Sequence, residues 1–406
     1  MQKFEKHSPV VVTEVTTKHE LRQFMQYPNR LYADNPNYIP SFYGDDLSDW
    51  TPGKNPAFDY CEARCWLAWR DGEIVGRIGA ILSHKANDKF GTHRMRFSQV
   101  DFVDDSEVSA ALFGTVERWA REKGCDQVHG PLGFTDMDRE GMLVEGFDRR
   151  SLFFTNYNAP YYLEHLTRLG YRKDVDWIEY RITVPEPGGA EAERLHKLSE
   201  FILKRKHLHV ATVHHKSEYG PFVRQVFELV NAAYAPLYGV VELSDEQIER
   251  YANKFIPLVD PDFVCFVVDE QDQLVAFGVT ALDPSVALKH SDGRLFPFGW
   301  AGVLNDLHHS DTLIMLLTAV RPDLQTEGIN AVMMDHVCQS CNRHGVRFAE
   351  TGPMLELNDH ILAQWKRLEK EQHKRRRCFI KDLDHDVNAA NAAAAQTETP
   401  ETESAE

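Results

Sequence analysis

The chain of 406 residues lacks long hydrophobic runs and has few cysteines. No apolar stretch approaches the roughly 20 residues that a membrane-spanning helix needs, and the opening MQKFEKHSP has no apolar segment like that of a secretory signal. The seven cysteines are odd in number and scattered along the chain, which argues against a disulfide framework. From these absences we expect a soluble cytoplasmic protein without a transmembrane segment.

The chain also has fewer positively than negatively charged side chains. Lysine and arginine number 45 against 62 aspartate and glutamate residues, which gives a formal net charge of −17. Such a surface is poorly suited to neutralising nucleic-acid phosphates, so no nucleic-acid partner is expected, whereas peripheral contact with a membrane stays open. The local run KRRR at residues 374–377 is expected to form a solvated face of a terminal helix; the alternative is a site for a coenzyme A phosphate or an anionic lipid. The histidine pairs at 214–215 and 308–309 lack Cys or carboxylate neighbours at ligand spacing, so no metal is predicted.

The most informative stretch of the sequence covers residues 311–345. An apolar run at 313–320, long enough for a buried strand, leads through Arg321 and Pro322 into a polar loop. Apolar residues then recur at helical spacing, at Ile329, Met333, Val337 and Cys341. The pattern predicts a strand, a loop and a helix, with a glycine in the loop that allows close backbone approach and a helix start that favours an anionic phosphate.

The loop, Gln325-x-x-Gly328-x-Asn330, resembles the pyrophosphate loop of the GNAT acyltransferase superfamily. That pattern reads Gln or Arg, two residues, Gly, one residue, and then Gly or Ala; Asn330 departs from the last position, and Ala331 follows it. A short strand that ends before Gly352 and an amphipathic helix at 361–368 follow in the family's order. The alternative is an ordinary strand-to-helix turn of an unrelated α/β domain.

The first half of the chain repeats the second. A hairpin at residues 65–81 has a counterpart at 263–279, and the Gly-Pro pair at 130–131 matches the pair at 352–353. An α/β (α+β) fold of two tandem GNAT-like units is therefore predicted, each a mixed twisted sheet flanked by helices. The expected division is a degenerate unit over 1–184, a linker over 185–194, a unit with the coenzyme A (CoA) loop over 195–385 and a disordered tail over 386–406.

The two units differ at the phosphate loop. The first carries three carboxylates, Asp101, Asp104 and Asp105, and no glycine, so fixed negative charge would repel a pyrophosphate. The second unit is therefore expected to bind CoA or acyl-CoA, such as acetyl-CoA, as co-substrate. The resemblance implies that the cofactor-binding residues are Leu317, Thr318, Ala319, Val320, Gln325, Thr326, Glu327, Gly328, Ile329, Asn330 and Ala331.

The resemblance further implies transfer of an acyl group from a CoA thioester to an amine. Such a reaction needs a base for the amine, donors for the oxyanion and a proton for the departing thiolate. A carboxylate serves as base in many members, which makes Glu350 the first candidate and Glu356 the second. A tyrosine on the last helix often acts as acid, but residues 361–368 contain none, so that role stays unassigned.

An acidic insertion in the first half, residues 134–148, interleaves carboxylates with apolar residues. It predicts a site for an amphipathic primary amine, with Asp136, Asp138 and Glu145 as substrate-binding residues; the alternative is a solvated loop with a buried plug. Tyr161 and Tyr162 are further candidates for this cleft, with packing in the core or at its rim as the alternative. The segment resembles one in a group of bacterial tandem GNAT-like proteins similar to bacterial ceramide synthases.

Three functions are compatible with these patterns. The first is an enzyme, an acyl-CoA-dependent N-acyltransferase that acts on a primary amine of long-chain or amphipathic character. The second is a catalytically silent CoA-binding or scaffold protein, which the missing tyrosine favours. The third is a tRNA-dependent aminoacyltransferase, which the acidic composition disfavours and RNA binding at two salt concentrations would test.

Overall fold

The computed structural model describes residues 8–383, which form a mixed α/β protein. The tail predicted over 386–406 lies outside the described residues. The strands are β1 Val11–Glu14, β2 Cys61–Arg70, β3 Glu73–Ser83, β4 Arg94–Phe102, β5 Gln127–Gly130, β6 Met142–Glu145, β7 Arg172–Thr183, β8 His209–Val210, β9 Val264–Val268, β10 Leu274–Leu282, β11 Thr312–Val320, β12 Phe348–Thr351, β13 Met354–Leu355 and β14 Lys370–Asp382. The helices are α1 Lys18–Leu31, α2 Tyr43–Asp49, α3 His84–Phe90, α4 Ser106–Glu122, α5 Tyr162–Arg168, α6 Ala190–Lys206, α7 Gly220–Tyr234, α8 Asp245–Phe255, α9 Ser285–His290, α10 Gly299–His309, α11 Asn330–His344 and α12 Asp359–Ala363.

The strands form one sheet in which the two halves of the chain repeat the same order. Its path runs β1-β2-β3-β4-β5-β14-β7-β12-β11-β10-β9-β8, with β13 on β7 and β6 on β14. Strands β1 to β4 pair antiparallel in sequence and β4 pairs with β5 in parallel. Strands β8 to β11 and the parallel pair of β11 with β12 repeat this arrangement from the other edge.

The last strand of each half is placed beside strands of the other half. The C-terminal strand β14 pairs with β5 of the first half, and β7 of the first half pairs with β12 of the second. The two exchanged strands also pair with each other along most of their length, from Lys370↔Ile182 to Ile380↔Arg172. Each unit is therefore completed by chain from the other, and the predicted division at residues 184 and 195 stays a prediction.

Several helices begin at a residue whose side chain accepts from the first N–H groups of the helix. Asp105 caps α4 by accepting from the N–H groups of Glu107 and Val108, and Ser244 with Gln247 forms a capping box at α8. Helix α4 buries its apolar face in the core of the first unit. No helix in the described part of the chain is long and apolar enough to cross a membrane.

The KRRR run at 374–377 lies on strand β14, so the expectation of a helical, solvated face was wrong. Lys374 and Arg376 are buried, and both pair with the buried carboxylate of Glu179 on β7, at 3.2 Å and 2.5 Å. Burial raises the pKa of Glu179, but the charges of Arg376 and Lys374 outweigh it and bring the pKa down to about 2. The run is a charged seam between the exchanged strands, in which Arg376 pairs with a carboxylate 197 residues away in sequence.

Candidate functional site

The edge of β11 opens where the two central strands of the second unit separate. Strand β12 pairs with β11 only along residues 312–315, whereas β11 continues beside β10 to Val320. Among the described residues, 316–320 have no strand partner on the β12 side, so this edge of β11 is open. A β-bulge between Val279 and Thr280 of the neighbouring strand accompanies this opening. The predicted cofactor-binding residues from Leu317 to Val320 lie in this stretch.

The loop after β11 passes through Gly328 into helix α11. Gly328 has a φ of +81°, in the left-handed region that favours glycine. Helix α11 begins at Asn330, and the N–H of Ala331 donates to the carbonyl of Gly328 at 2.9 Å. Gln325 folds the loop back by donating from Nε2 to the carbonyl of Val320, at 3.3 Å.

Of the remaining loop residues, some are exposed to solvent and one is buried in the core. Thr326 and Glu327 are exposed, and the Glu327 carboxylate pairs with Nζ of Lys206 on α6, at 2.6 Å. Ile329 is buried in a cluster shared with Ile202, which holds the loop against α6. The C-terminal end of α6, with the ammonium group of Lys206, therefore lies against this loop.

A cavity of about 270 Å³ opens beside the free edge of β11. Leu317, Thr318 and Asn330, three of the predicted cofactor-binding residues, line it together with apolar side chains of α11 and of the segment around α12. At another part of its wall stand Asp136 and Glu140 from the acidic insertion of the first half. The structure thus places the phosphate-loop strand of one unit and carboxylates of the other on a single cavity.

The two carboxyl groups on the cavity have perturbed titration behaviour. Burial raises the pKa of Asp136 to about 6, with the charge of Asp138 as a further cause. Burial and the charge of Asp136 raise the pKa of Glu140 well above its usual value. At neutral pH Asp136 is therefore mostly ionised and able to accept a proton, while the raised pKa of Glu140 shifts that group toward its protonated form.

Two tyrosines from the end of α7 and the segment after it complete the polar part of the wall. The hydroxyl of Tyr234 donates to the carbonyl of Thr318, at 2.7 Å, and so touches the open edge of β11. The hydroxyl of Tyr238 donates to Asp174 at 2.5 Å and lies 2.8 Å from Nδ1 of His129. Burial is the main cause that raises the pKa of both tyrosines above the usual value, so both stay protonated.

One group of side chains in the described part of the chain has metal-ligand chemistry. It comprises His129, Asp174 and Cys378, whose ligand atoms lie within 4.8 Å of one another. The hydroxyl of Tyr238 lies among them and is hydrogen-bonded to all three. Burial, and after it the charges of Arg96 and a second arginine, holds the pKa of His129 well below its usual value. The same positive field opposes a divalent cation, so the group fits a hydrogen-bonded cluster better than a metal site.

The two predicted bases are held in ion pairs away from the cavity wall. Glu350 accepts from Arg181 at 3.2 Å and from the buried Lys374 at 3.3 Å. Glu356 pairs with Arg375 at 3.0 Å and also with Lys173. Neither lines the cavity, although neighbouring residues of both do. Their assignment as bases stays a prediction, and a carboxylate on the cavity wall is the stronger candidate.

The predicted tyrosines of the first half lie in its core. The hydroxyl of Tyr162 is 2.7 Å from that of Tyr32 and accepts from the N–H of Phe102 at 2.8 Å. Tyr161 donates to the carbonyl of Phe102 at 2.5 Å. Both hydroxyls thus satisfy backbone or side-chain groups near the end of β4, and the structure does not bring either of them to the cavity.

Two further residues of the predicted acceptor site have other surroundings. Asp138 is adjacent to the cavity residues in sequence, but its carboxylate accepts from the N–H groups of Phe134 and Thr135, at 2.8 and 3.2 Å, and shapes the insertion. Glu145 is exposed at the end of β6 and pairs with Arg375 at 3.3 Å. Of the five predicted substrate-binding residues, Asp136 is the one found on the cavity wall.

Sequence reasoning overlooked Glu140, Tyr234 and Tyr238. The signal for Glu140 was its place in the same acidic insertion as Asp136. The two tyrosines carry no local signal, because α7 reads as an ordinary amphipathic helix and the cavity forms only when the halves pack together.

Comparisons with known proteins agree with this architecture. No protein-family model matches the chain. Protein YghO of Escherichia coli (strain K12) is 27% identical over 379 residues, which are 92% of this chain and 95% of that protein. A bacterial ceramide synthase of Caulobacter vibrioides is 28% identical over 300 residues, which are 72% of this chain and 75% of that protein. A solved tandem GNAT protein from the clavulanic acid biosynthesis pathway covers 92% of this chain and 99% of its own, with a TM-score of 0.52 and 13% identity.

The structural likeness establishes the tandem GNAT fold. The resemblance inferred from the loop and from the internal repeat is confirmed at the level of fold, as is the predicted α/β class. A ceramide synthase is among the similar proteins, in line with the resemblance carried by the acidic insertion.

Proposed function

We propose that the protein is an acyl-CoA-dependent N-acyltransferase that acylates a primary amine. One observation carries the proposal: a single cavity joins the open edge of β11 and the start of α11 to the carboxyl groups of Asp136 and Glu140. In this proposal the thioester binds beside β11 and α11, and the ammonium group of the amine binds beside Asp136 and Glu140. The tandem GNAT fold supports this class of reaction, and residues of the chain supply each chemical requirement except an assigned acid.

The loop residues fit the phosphate portion of CoA. Gly328 holds the backbone open for close approach, the start of α11 offers N–H donors, and Lys206 brings a cation to the loop. The narrow apolar cavity beside β11 suits the uncharged pantetheine arm and the acyl group. The residues present therefore match an anionic ligand with a long neutral arm.

The carboxyl groups suit an amine that arrives as an ammonium ion. Ionised Asp136 attracts the cation and takes one proton, which leaves a neutral nitrogen with a lone pair. The nitrogen attacks the thioester carbonyl, a C–N bond forms, the C–S bond breaks, and the thiolate takes up a proton. The net reaction converts ammonium and thioester into amide, thiol and one released proton. Backbone N–H groups on the free edge of β11 would stabilise the oxyanion.

The walls favour an amine with an apolar body. A second cavity of about 80 Å³, lined almost wholly by apolar residues of α7, α8 and β9, shares Val279, Leu316 and Leu317 with the first. A chain bound there would lead away from the carboxyl groups. One similar protein is named a ceramide synthase, and a ceramide is an amide of a long-chain amine, which supports an amphipathic acceptor.

An exposed aromatic surface offers peripheral contact with a lipid bilayer. It consists of Phe296 and Phe298, which are 80% and 81% exposed, and Trp300, all next to the start of α10. Residues 284–310 carry two lysine or arginine and two aspartate side chains, so this surface is neutral in a chain of net charge −17. A neutral protrusion with aromatic tips suits the interface of a bilayer, where an amphipathic amine would also reside.

Product analysis tests the proposed reaction. The protein is incubated with a long-chain acyl-CoA and a mixture of primary amines, and the amide is identified by mass. We expect an amide that depends on both substrates and falls sharply in the Asp136→Asn variant. Tight binding of acyl-CoA without any amide would favour the silent CoA-binding protein, and RNA-dependent acyl transfer would favour the aminoacyltransferase.

A further inference from the structure

Helix α6, which connects the two units, ends beside the phosphate loop. Nζ of Lys206 in its last turn lies 2.6 Å from the Glu327 carboxylate. A Cβ added to Gly328 would lie 3.3 Å from Cδ1 of Ile202, one turn earlier in α6. The C-terminal end of α6 and the loop therefore form one continuous surface.

The exposed face of this helix end combines an aromatic ring with cations. Phe201 is 56% exposed, and the guanidinium of Arg205 lies 5.9 Å from the centre of its ring. Leu198, one turn earlier, is 40% exposed on the same side. Lys204, Arg205 and Lys206 place three positive charges in the last turn of α6, in a chain of net charge −17.

We propose that this end of α6 binds the 3′-phosphorylated adenine nucleotide of CoA. Phe201 offers a flat apolar face for the adenine ring, Arg205 holds the 3′-phosphate, and Lys206 contacts the pyrophosphate that lies on the loop. The inference rests on the proposed function, because it assigns the far end of the same ligand. Charge decides the occupant: a second copy of this acidic chain would place net negative charge on both sides of the contact, whereas a nucleotide with several phosphates complements the three cations.

Glu327 is the counterpart that the nucleotide would replace. Its carboxylate pairs with Lys206, and that hydrogen bond, with a smaller effect of the Arg205 charge, lowers the pKa of Glu327. Both cations therefore act on the loop before any ligand arrives. A bound pyrophosphate would pair with Lys206 in place of Glu327, and the negative charge of Glu327 would then repel the phosphates. Glu327→Gln removes that repulsion and should strengthen CoA binding about two- to threefold.

Calorimetric titration of the full-length protein with CoA and with 3′-dephospho-CoA tests the assignment. We expect Phe201→Ala to weaken both ligands at least fivefold and Phe201→Tyr to restore them. Arg205→Ala should weaken CoA at least fivefold but 3′-dephospho-CoA less than twofold. Lys197→Ala is the matched control, because Lys197 lies on the same helix and pairs with Glu193 at 3.4 Å; its affinity should stay within twofold of wild type.

The outcomes separate this inference from the function on which it rests. Wild-type affinity for CoA in both folded Phe201→Ala and Arg205→Ala variants overturns the nucleotide site and leaves the acyltransferase standing. Loss of a dimer in Phe201→Ala, measured by light scattering with unchanged CoA affinity, assigns the surface to a second copy and also overturns it. Failure of the wild-type protein to bind any CoA species overturns the inference and the proposed function together. Circular dichroism confirms that each variant is folded.

Discussion

The role of Asp136 leads to a specific dependence of rate on pH. Its carboxylate must be ionised to accept the ammonium proton, and burial raises its pKa to about 6. It is then about 90% ionised at pH 7 and about 10% ionised at pH 5. We expect kcat/KM of the wild-type enzyme to fall by about tenfold between these values. The rate is lost as pH falls through 6, because protonation removes the base.

Substitution separates Asp136 from its neighbour. Asp136→Asn keeps the shape and removes the proton acceptor, so kcat should fall roughly 10²- to 10⁴-fold and the acid limb near pH 6 should disappear. Glu140→Gln should change kcat by less than about tenfold, because Glu140 favours its protonated form and glutamine resembles it. Asp148→Asn is the control, since Asp148 is an exposed carboxylate of the same insertion.

The assay follows thiol release from acyl-CoA between pH 5 and 8, with the amine concentration varied so that kcat and kcat/KM are both obtained. The ionisation of the amine affects wild type and variants alike, so differences between their profiles belong to the protein. An Asp136→Asn enzyme that retains wild-type kcat and the same acid limb would refute the assignment. If Glu140→Gln shows the large loss instead, the two carboxyl groups have the opposite roles.

Three further predictions concern the loop, the charged seam and the aromatic surface. Gly328→Val should weaken CoA at least tenfold, about 1.4 kcal/mol, because a β-branched residue at a φ of +81° strains the loop and obstructs phosphate approach; calorimetry showing unchanged affinity in the folded variant would contradict this. Glu350→Gln should lower the unfolding midpoint by at least about 4 °C, because it leaves Lys374 with one carboxylate fewer, and should change kcat only a few-fold; a loss of 10²-fold or more at unchanged stability would restore Glu350 as base. Replacing Phe296 and Phe298 together by serine should reduce sedimentation with phosphatidylcholine vesicles by roughly tenfold, whereas equal sedimentation of both proteins would exclude this surface.

Local patterns predicted those parts of the fold that depend on neighbouring residues. The apolar run at 313–320 lies in β11, and the residues at helical spacing after it lie in α11 or at its N-cap, as predicted. Apolar periodicity and a glycine at a turn are properties of a few consecutive residues, so the sequence alone shows them. The internal repeat also predicted the tandem architecture, since the same local patterns occur in both halves of the sequence. What these signals cannot show is which unit a terminal strand joins.

The exchange of β7 and β14 gives Glu350 ion-pair partners that its place in the sequence does not show. Its position at the end of a strand suits the role of a base, but the exchanged strands place Arg181 and Lys374 beside it. The same exchange pairs the KRRR run with β7, so the run lies in a buried seam and does not form the expected solvated face. Both assignments depend on contacts across long sequence separations, which periodicity and charge runs do not encode. The cavity likewise arises only from the packing of the two halves.

Thiol release measured with a panel of acyl-CoAs and primary amines tests the central claim most directly. The panel covers short to long acyl chains against polyamines, amino acids and long-chain amino alcohols. The account predicts that at least one amine accelerates thioester loss well above hydrolysis, with an amide of the matching mass and with little acceleration in Asp136→Asn. If no amine accelerates thioester loss for any acyl chain while CoA still binds, the protein is a CoA-binding protein without this transferase activity.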